Sequence, residues 1–198
     1  MEYQDQKQHI ELIAMGASTG GTEALLAVLK ELPGNLPPIV ITQHMPPVFT
    51  EMYAERLNRL CAMEVREAKD GDELYSGLCL IAPGGLQMRV HKDVLGARVS
   101  CTEEDKVSGH CPSVDVLFRS VAEQYEASAI GILLTGMGKD GAKGLLAMHE
   151  QGAYTLGQDE KSSVVYGMPM EAYKLGAVSQ QGNLEQIPQY LLQRLRFS

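Results

Sequence analysis

Gly16-Ala17-Ser18-Thr19-Gly20-Gly21 decides how this chain is read. It follows the apolar run Ile10 to Met15 and precedes a helix-like run, Thr22 to Glu31. Strand, glycine turn and helix form the setting a serine nucleophile needs. The sharp turn lifts the hydroxyl clear of the sheet, and the helix start offers unpaired N–H groups to a developing oxyanion. Read alone, the turn has rivals. Ser18 also suits a helix cap, and a glycine turn also suits a nucleotide phosphate.

Working outward, apolar β-branched runs alternate with helix-like runs. Residues 38–43 read as a strand and Phe49 to Leu60 as a helix. Residues 129–135 are apolar throughout, as in a strand buried on both faces. Ala142 to Gln151 reads as a helix, Ala153 to Gln158 as a strand and Leu184 to Leu195 as a terminal helix. Ser113 stands where a cap would open another helix. Between Val65 and Ser100 the pattern changes. Short strand-like pieces at 78–82, 86–91 and 94–100 are separated by Asp70-Gly71, Pro83-Gly84-Gly85 and Lys92-Asp93. These predict an antiparallel hairpin excursion. The expected fold is α/β: a doubly wound, mainly parallel sheet with helices on both faces.

Ligands of such sheets bind beyond the carboxyl ends of the strands. Three of those ends carry Ser18, His44 (in Gln43-His44-Met45-Pro46-Pro47) and Asp140 (in Gly136-Met137-Gly138-Lys139-Asp140-Gly141). A nucleophile, a base and an orienting acid have these side chains. Each also has a plainer reading: Ser18 and Asp140 as helix caps, His44 as a turn residue. The order Ser, His, Asp differs from the α/β-hydrolase order. The nucleotide reading meets two obstacles. Serine stands where the dinucleotide fingerprint has its second glycine, and Gln43-His44 replace the ribose-binding acid.

Composition limits the partners. The 198 residues are 44% hydrophobic and 21% charged, with a net charge of −8, which argues against nucleic-acid binding. No run is long and apolar enough for a membrane helix, and residues 1–9 read as a polar leader or tag remnant without signal-peptide layout. A cytoplasmic location is expected. Cys61, Cys79, Cys101 and Cys111 include no CxxC pair and read as free thiols. Cys101, His110 and Cys111 fit no common zinc spacing, so no metal is expected.

The blocks around Ser18, His44 and Asp140 resemble those of the bacterial chemotaxis receptor methylesterases, the CheB-type family. Ile81-Ala82-Pro83-Gly84, Pro112 to Phe118 and Gly167-Met168-Pro169 extend the likeness over residues 10–195. The resemblance implies hydrolysis of γ-glutamyl methyl esters on cytoplasmic receptor helices, and deamidation of receptor glutamines in some members. It makes Ser18 the nucleophile, His44 the general base and acid, and Asp140 the residue orienting the imidazole. The Thr19 and Met137 N–H groups would form the oxyanion hole, with no cofactor and no metal. Its partners would be methyl-accepting chemotaxis receptors. The family's usual N-terminal receiver domain is not expected in this chain, whose residues 10–198 read as one catalytic domain. Cys111 and Met170 stand where the family commonly has arginine, and Lys139 where it commonly has asparagine. Met45, Met137 and Met168, in or near the motif loops, are candidate apolar lining for a substrate helix.

Overall fold

The computed structural model describes residues 9–196, so the expected leader lies, except for His9, outside the described residues. Seven parallel strands form one sheet: β1 (Leu12–Ala17), β2 (Ile39–Gln43), β3 (Glu64–Glu67), β4 (Leu78–Ile81), β7 (Ala129–Leu133), β8 (Tyr154–Gln158) and β9 (Gln180–Gly182). Their spatial order is β3-β4-β2-β1-β7-β8-β9. The chain starts at the centre with β1, adds β2 beside it, jumps to the edge strand β3, fills the gap with β4, then returns beside β1 with β7. The order therefore reverses at β1, the kind of switch point where ligands bind.

Both sheet faces are covered because alternate residues of the central strand face opposite ways. Leu12 and Ala14 enter a core with α3 (Val114–Tyr125), α4 (Ala142–Glu150) and α5 (Met168–Lys174). Ile13, Met15 and Ala17 enter the other, with α1 (Gly21–Leu29), α2 (Phe49–Leu60) and α6 (Gln186–Arg196). Every residue of β1 and β7 is buried, which explains their unbroken apolar sequence. Helix α4 lies so near β7 that a Cβ at Gly131 would sit 2.7 Å from Leu145 Cδ1.

The excursion is real but smaller than its sequence suggests. β5 (Gln87–Asp93) and β6 (Gly96–Thr102) form a separate two-stranded antiparallel hairpin, closed by Val94-Leu95. Val90 N and Lys92 N fasten it to α3 through Ser120 Oγ (3.0 Å) and Gln124 Oε1 (2.9 Å). The piece at 78–82, expected in the hairpin, is instead β4. It pairs in parallel with β2 and β3 and is buried throughout. Only a strand covered on both sides can be Leu-Cys-Leu-Ile without alternation. Strands 38–43 and 153–158 each lose one residue at the start, and 129–135 closes at Leu133. Three short elements, β3, α5 and β9, carried too little pattern to be read. Among the described residues, no helix is long and apolar enough to cross a membrane.

Candidate functional site

The three marked strand ends are neighbours, because β2, β1 and β7 are adjacent in the sheet. Backbone bonds extend this adjacency into the loops. His44 N donates to Ala17 O (3.2 Å), and Ser18 N donates to Thr135 O (2.9 Å). The Gln43 amide donates to Ser18 O (2.9 Å). The Thr135 hydroxyl donates to Thr19 O (2.9 Å). A Cβ on Gly136 would lie 2.8 Å from Ser18 Cβ and 3.1 Å from its N, so the Ser18 and Asp140 turns touch with no room for a side chain.

Neither turn residue caps the helix that follows it. Helices α1 and α4 both begin after a left-handed glycine, Gly20 (φ 78°) and Gly141 (φ 89°), with no side-chain cap bond. Ser18 and Asp140 are thereby released from the roles their positions suggest. Asp140 reaches across to a different helix, α3. Its carboxylate accepts from Ser113 Oγ (2.7 Å), Val114 N (2.8 Å) and Asp115 N (3.0 Å). Asp115 in turn accepts from Gly144 N in the first turn of α4 (2.7 Å) and from Ser108 Oγ (3.0 Å). The two helices exchange carboxylates at their N-termini, where unpaired N–H groups and the helix dipole favour negative charge.

The two acids respond differently. Burial opposes ionisation of Asp140, but hydrogen bonds from His44, Ser113, Asp115 N and Val114 N outweigh it and hold the carboxyl below its ordinary range. Burial prevails at Asp115. Aided by the nearby Asp140 charge, it pushes that carboxyl upward.

The remaining Asp140 contact is with His44, whose Nε2 lies 2.7 Å from Asp140 Oδ2. An ionised carboxylate accepts only, so Nε2 carries the proton, and in the neutral imidazole Nδ1 keeps its lone pair. Nδ1 is buried and has no hydrogen-bond partner among the described residues. A buried acceptor without a partner is uncommon and calls for an explanation. The Ser18 hydroxyl makes no hydrogen bond among the described residues. Thr19 N and Met137 N, on the two touching turns, likewise donate to no described group. Met137 is 69% exposed, whereas Met168 is fully buried against Gly136 and lines no surface.

The sequence named His110 only beside two cysteines. The structure stacks its ring on that of His44, with centroids 3.6 Å apart and planes 8° from parallel. Among the described residues no His, Cys, Asp and Glu side chains group as a metal site. A shallow cavity of about 260 Å³ adjoins the stack, lined in part by Met45, Pro46, Lys106 and Cys111. Larger hollows, of about 600, 560, 500 and 310 Å³, include none of Ser18, His44 and Asp140.

A family model described as CheB methylesterase matches residues 13–191. The chain is 56% identical over 180 residues to "protein-glutamate methylesterase/protein-glutamine glutaminase 2" of Syntrophomonas wolfei subsp. wolfei, covering 91% of this chain and 53% of that protein. It is 56% identical over 185 residues to "protein-glutamate methylesterase/protein-glutamine glutaminase 1" of Rhizobium johnstonii, covering 92% and 52%. It thus spans about half the length of these curated relatives. The crystal structure of the Thermotoga maritima CheB methylesterase catalytic domain superposes with a TM-score of 0.90 at 34% identity, covering 93% of this chain and 98% of that one.

Proposed function

The chain belongs to the CheB methylesterase family, and from that premise we propose that it is a serine hydrolase of γ-glutamyl methyl esters on chemoreceptor helices, releasing glutamate and methanol. The observation that carries the reading is the state of His44. One nitrogen is held by a buried carboxylate, and the other, an acceptor in the neutral imidazole, has no partner among the described residues and lies at the strand end beside Ser18.

In this reading Nδ1 of His44 takes the Ser18 proton as Oγ attacks the ester carbonyl. Asp140 keeps the imidazole in the required tautomer and stabilises the imidazolium that forms. Thr19 N and Met137 N receive the tetrahedral oxyanion, each such donor contributing about 3–4 kcal/mol in a well-studied protease. His44 returns its proton to the leaving methoxide, methanol departs, and water activated by the same imidazole hydrolyses the acyl-enzyme. A glutamine side chain would follow the same route with ammonia leaving, so receptor glutamines are proposed as further substrates. The cycle uses no metal and no cofactor.

The site supports a protein substrate. The cavity at His44 is shallow, and exposed Met137 and the exposed Val48, Phe49 and Met52 at the start of α2 offer apolar surface to a helix. Residues 10–198 are read as the catalytic domain, acting in the cytoplasm on methyl-accepting receptors. The test is methanol release from methylated receptor cytoplasmic fragments. Wild type should release it and Ser18→Ala should lose at least about a thousandfold. No release by wild type would move weight to a binding module without hydrolytic activity.

A further inference from the structure

We propose that His110 is a positioning residue for this reaction, a ring laid flat on His44 that fixes the plane in which the base nitrogen meets Ser18. The inference deepens, and rests on, the serine-hydrolase reading. Among the described residues His44 is fixed by a hydrogen bond at one nitrogen only, and a single bond leaves the ring free to swing about that contact. A second ring at 3.6 Å and 8° removes this freedom over one whole face.

The shelf is itself built. His110 and Val107 exchange backbone bonds of 2.9 and 3.0 Å. The amide of fully buried Gln87 donates to His110 O (3.2 Å), while its Oε1 accepts from Ser113 N (2.8 Å). One side chain therefore joins the loop that carries the shelf to the helix start that cradles Asp140. Positioning of this kind matters because small displacements of a base from its proton cost large factors in rate.

The stacked ring must also remain uncharged. The titratable groups around it are His44, Asp140, Lys106 and the neighbouring Cys111. Burial, then His44 and Lys106, lower its basicity, and Asp140 opposes them. A cation on this ring would oppose the imidazolium that His44 must become.

The test is the rate at which an alkyl fluorophosphonate labels Ser18, followed by intact mass across pH. In that step the Oγ–P bond forms, the P–F bond breaks, fluoride leaves and His44 takes the serine proton. Wild type should label and Ser18→Ala should not. His110→Ala should slow labelling about tenfold, and His110→Phe should recover it to within about threefold of wild type. His110→Arg, planar but permanently charged, should stay slow, with its acid limb moved down by about one pH unit. With methylated receptor fragments, His110→Ala should lower kcat and leave KM unchanged. Wild-type labelling in His110→Ala, or Phe as slow as Arg with an unmoved acid limb, would overturn the proposal. The Phe–Arg contrast decides alone if the Ala variant does not fold. Absence of labelling in wild type would overturn the hydrolase reading, and this proposal with it.

Discussion

The carboxyl edge of the sheet and the tip of the β5–β6 hairpin both turn on glycine, yet they use it in opposite ways. At the carboxyl edge glycine makes room. A Cβ at Gly16 would sit 2.3 Å from Val114 Cγ1, and one at Gly136 would sit 2.3 Å from Met168 Sδ. At the hairpin tip Gly96 has φ 134°, with nothing among the described residues within 4 Å of a would-be Cβ. Beside it Val94 and Leu95 are almost wholly exposed. The first region holds its loops by contact, so a single atom is felt at the site. The second projects its turn residues into solvent, so a change there stays there.

Asp140 gives the largest expected effect on the contact side. Asp140→Asn preserves volume but lets the His44 tautomer reverse. Methanol release should fall by about 10⁴, the scale of the same change in a serine protease triad. A loss under tenfold would remove Asp140 from the machinery. Next is Gly136→Ala. The added methyl must displace Met168 or the Ser18 backbone, and overpacking of this kind costs about 1–3 kcal/mol. Release should also fall about a hundredfold. A thermal melt and an assay on the same sample would check both, and a destabilised variant with full activity would break the link between packing and site geometry.

A third effect depends on pH. Asp140 titrates lower in the folded chain than in the unfolded one. Its stabilisation is therefore present above about pH 3.9, the unfolded value, and is lost as pH falls through that value to the folded one. Asp115 is shifted upward and has the opposite sign, so its folded form loses stability as pH rises. Denaturant melts of wild type minus Asp140→Asn should isolate the first: the difference should shrink as pH drops below 4 and stay flat above about 6. The smallest effect belongs to the hairpin. Gly96→Ala should cost about 1 kcal/mol through its positive φ and leave methanol release unchanged. A loss of activity there would show that the hairpin is coupled to the site.

The same contrast explains what the sequence made legible. β1 and β7 are buried on both faces and read as unbroken apolar runs, and the glycine turns after them marked Ser18 and Asp140. His44 was legible from its place after β2. Nothing local separated catalytic from capping roles for Ser18 and Asp140. That follows from Gly20 and Gly141 taking the cap positions and from Asp140 binding α3, a helix that begins 26 residues earlier. β4 was misplaced because its four residues carry no alternation, and its parallel partners are distant in sequence. The His110 stack was hidden for the same reason, since 66 residues separate the two rings and only the loop clamped by Val107 and Gln87 brings them together.

The most direct measurement concerns whether the three strand ends act as one device. Methanol release should be compared for Ser18→Ala, His44→Ala and the variant lacking Ser18, His44 and Asp140 side chains together. Because a nucleophile and its base act as a unit, either single change should cost nearly as much as all three, within about a factor of three. Losses that multiply, with the triple variant slower by the product of the separate factors, would contradict a triad built from Ser18, His44 and Asp140.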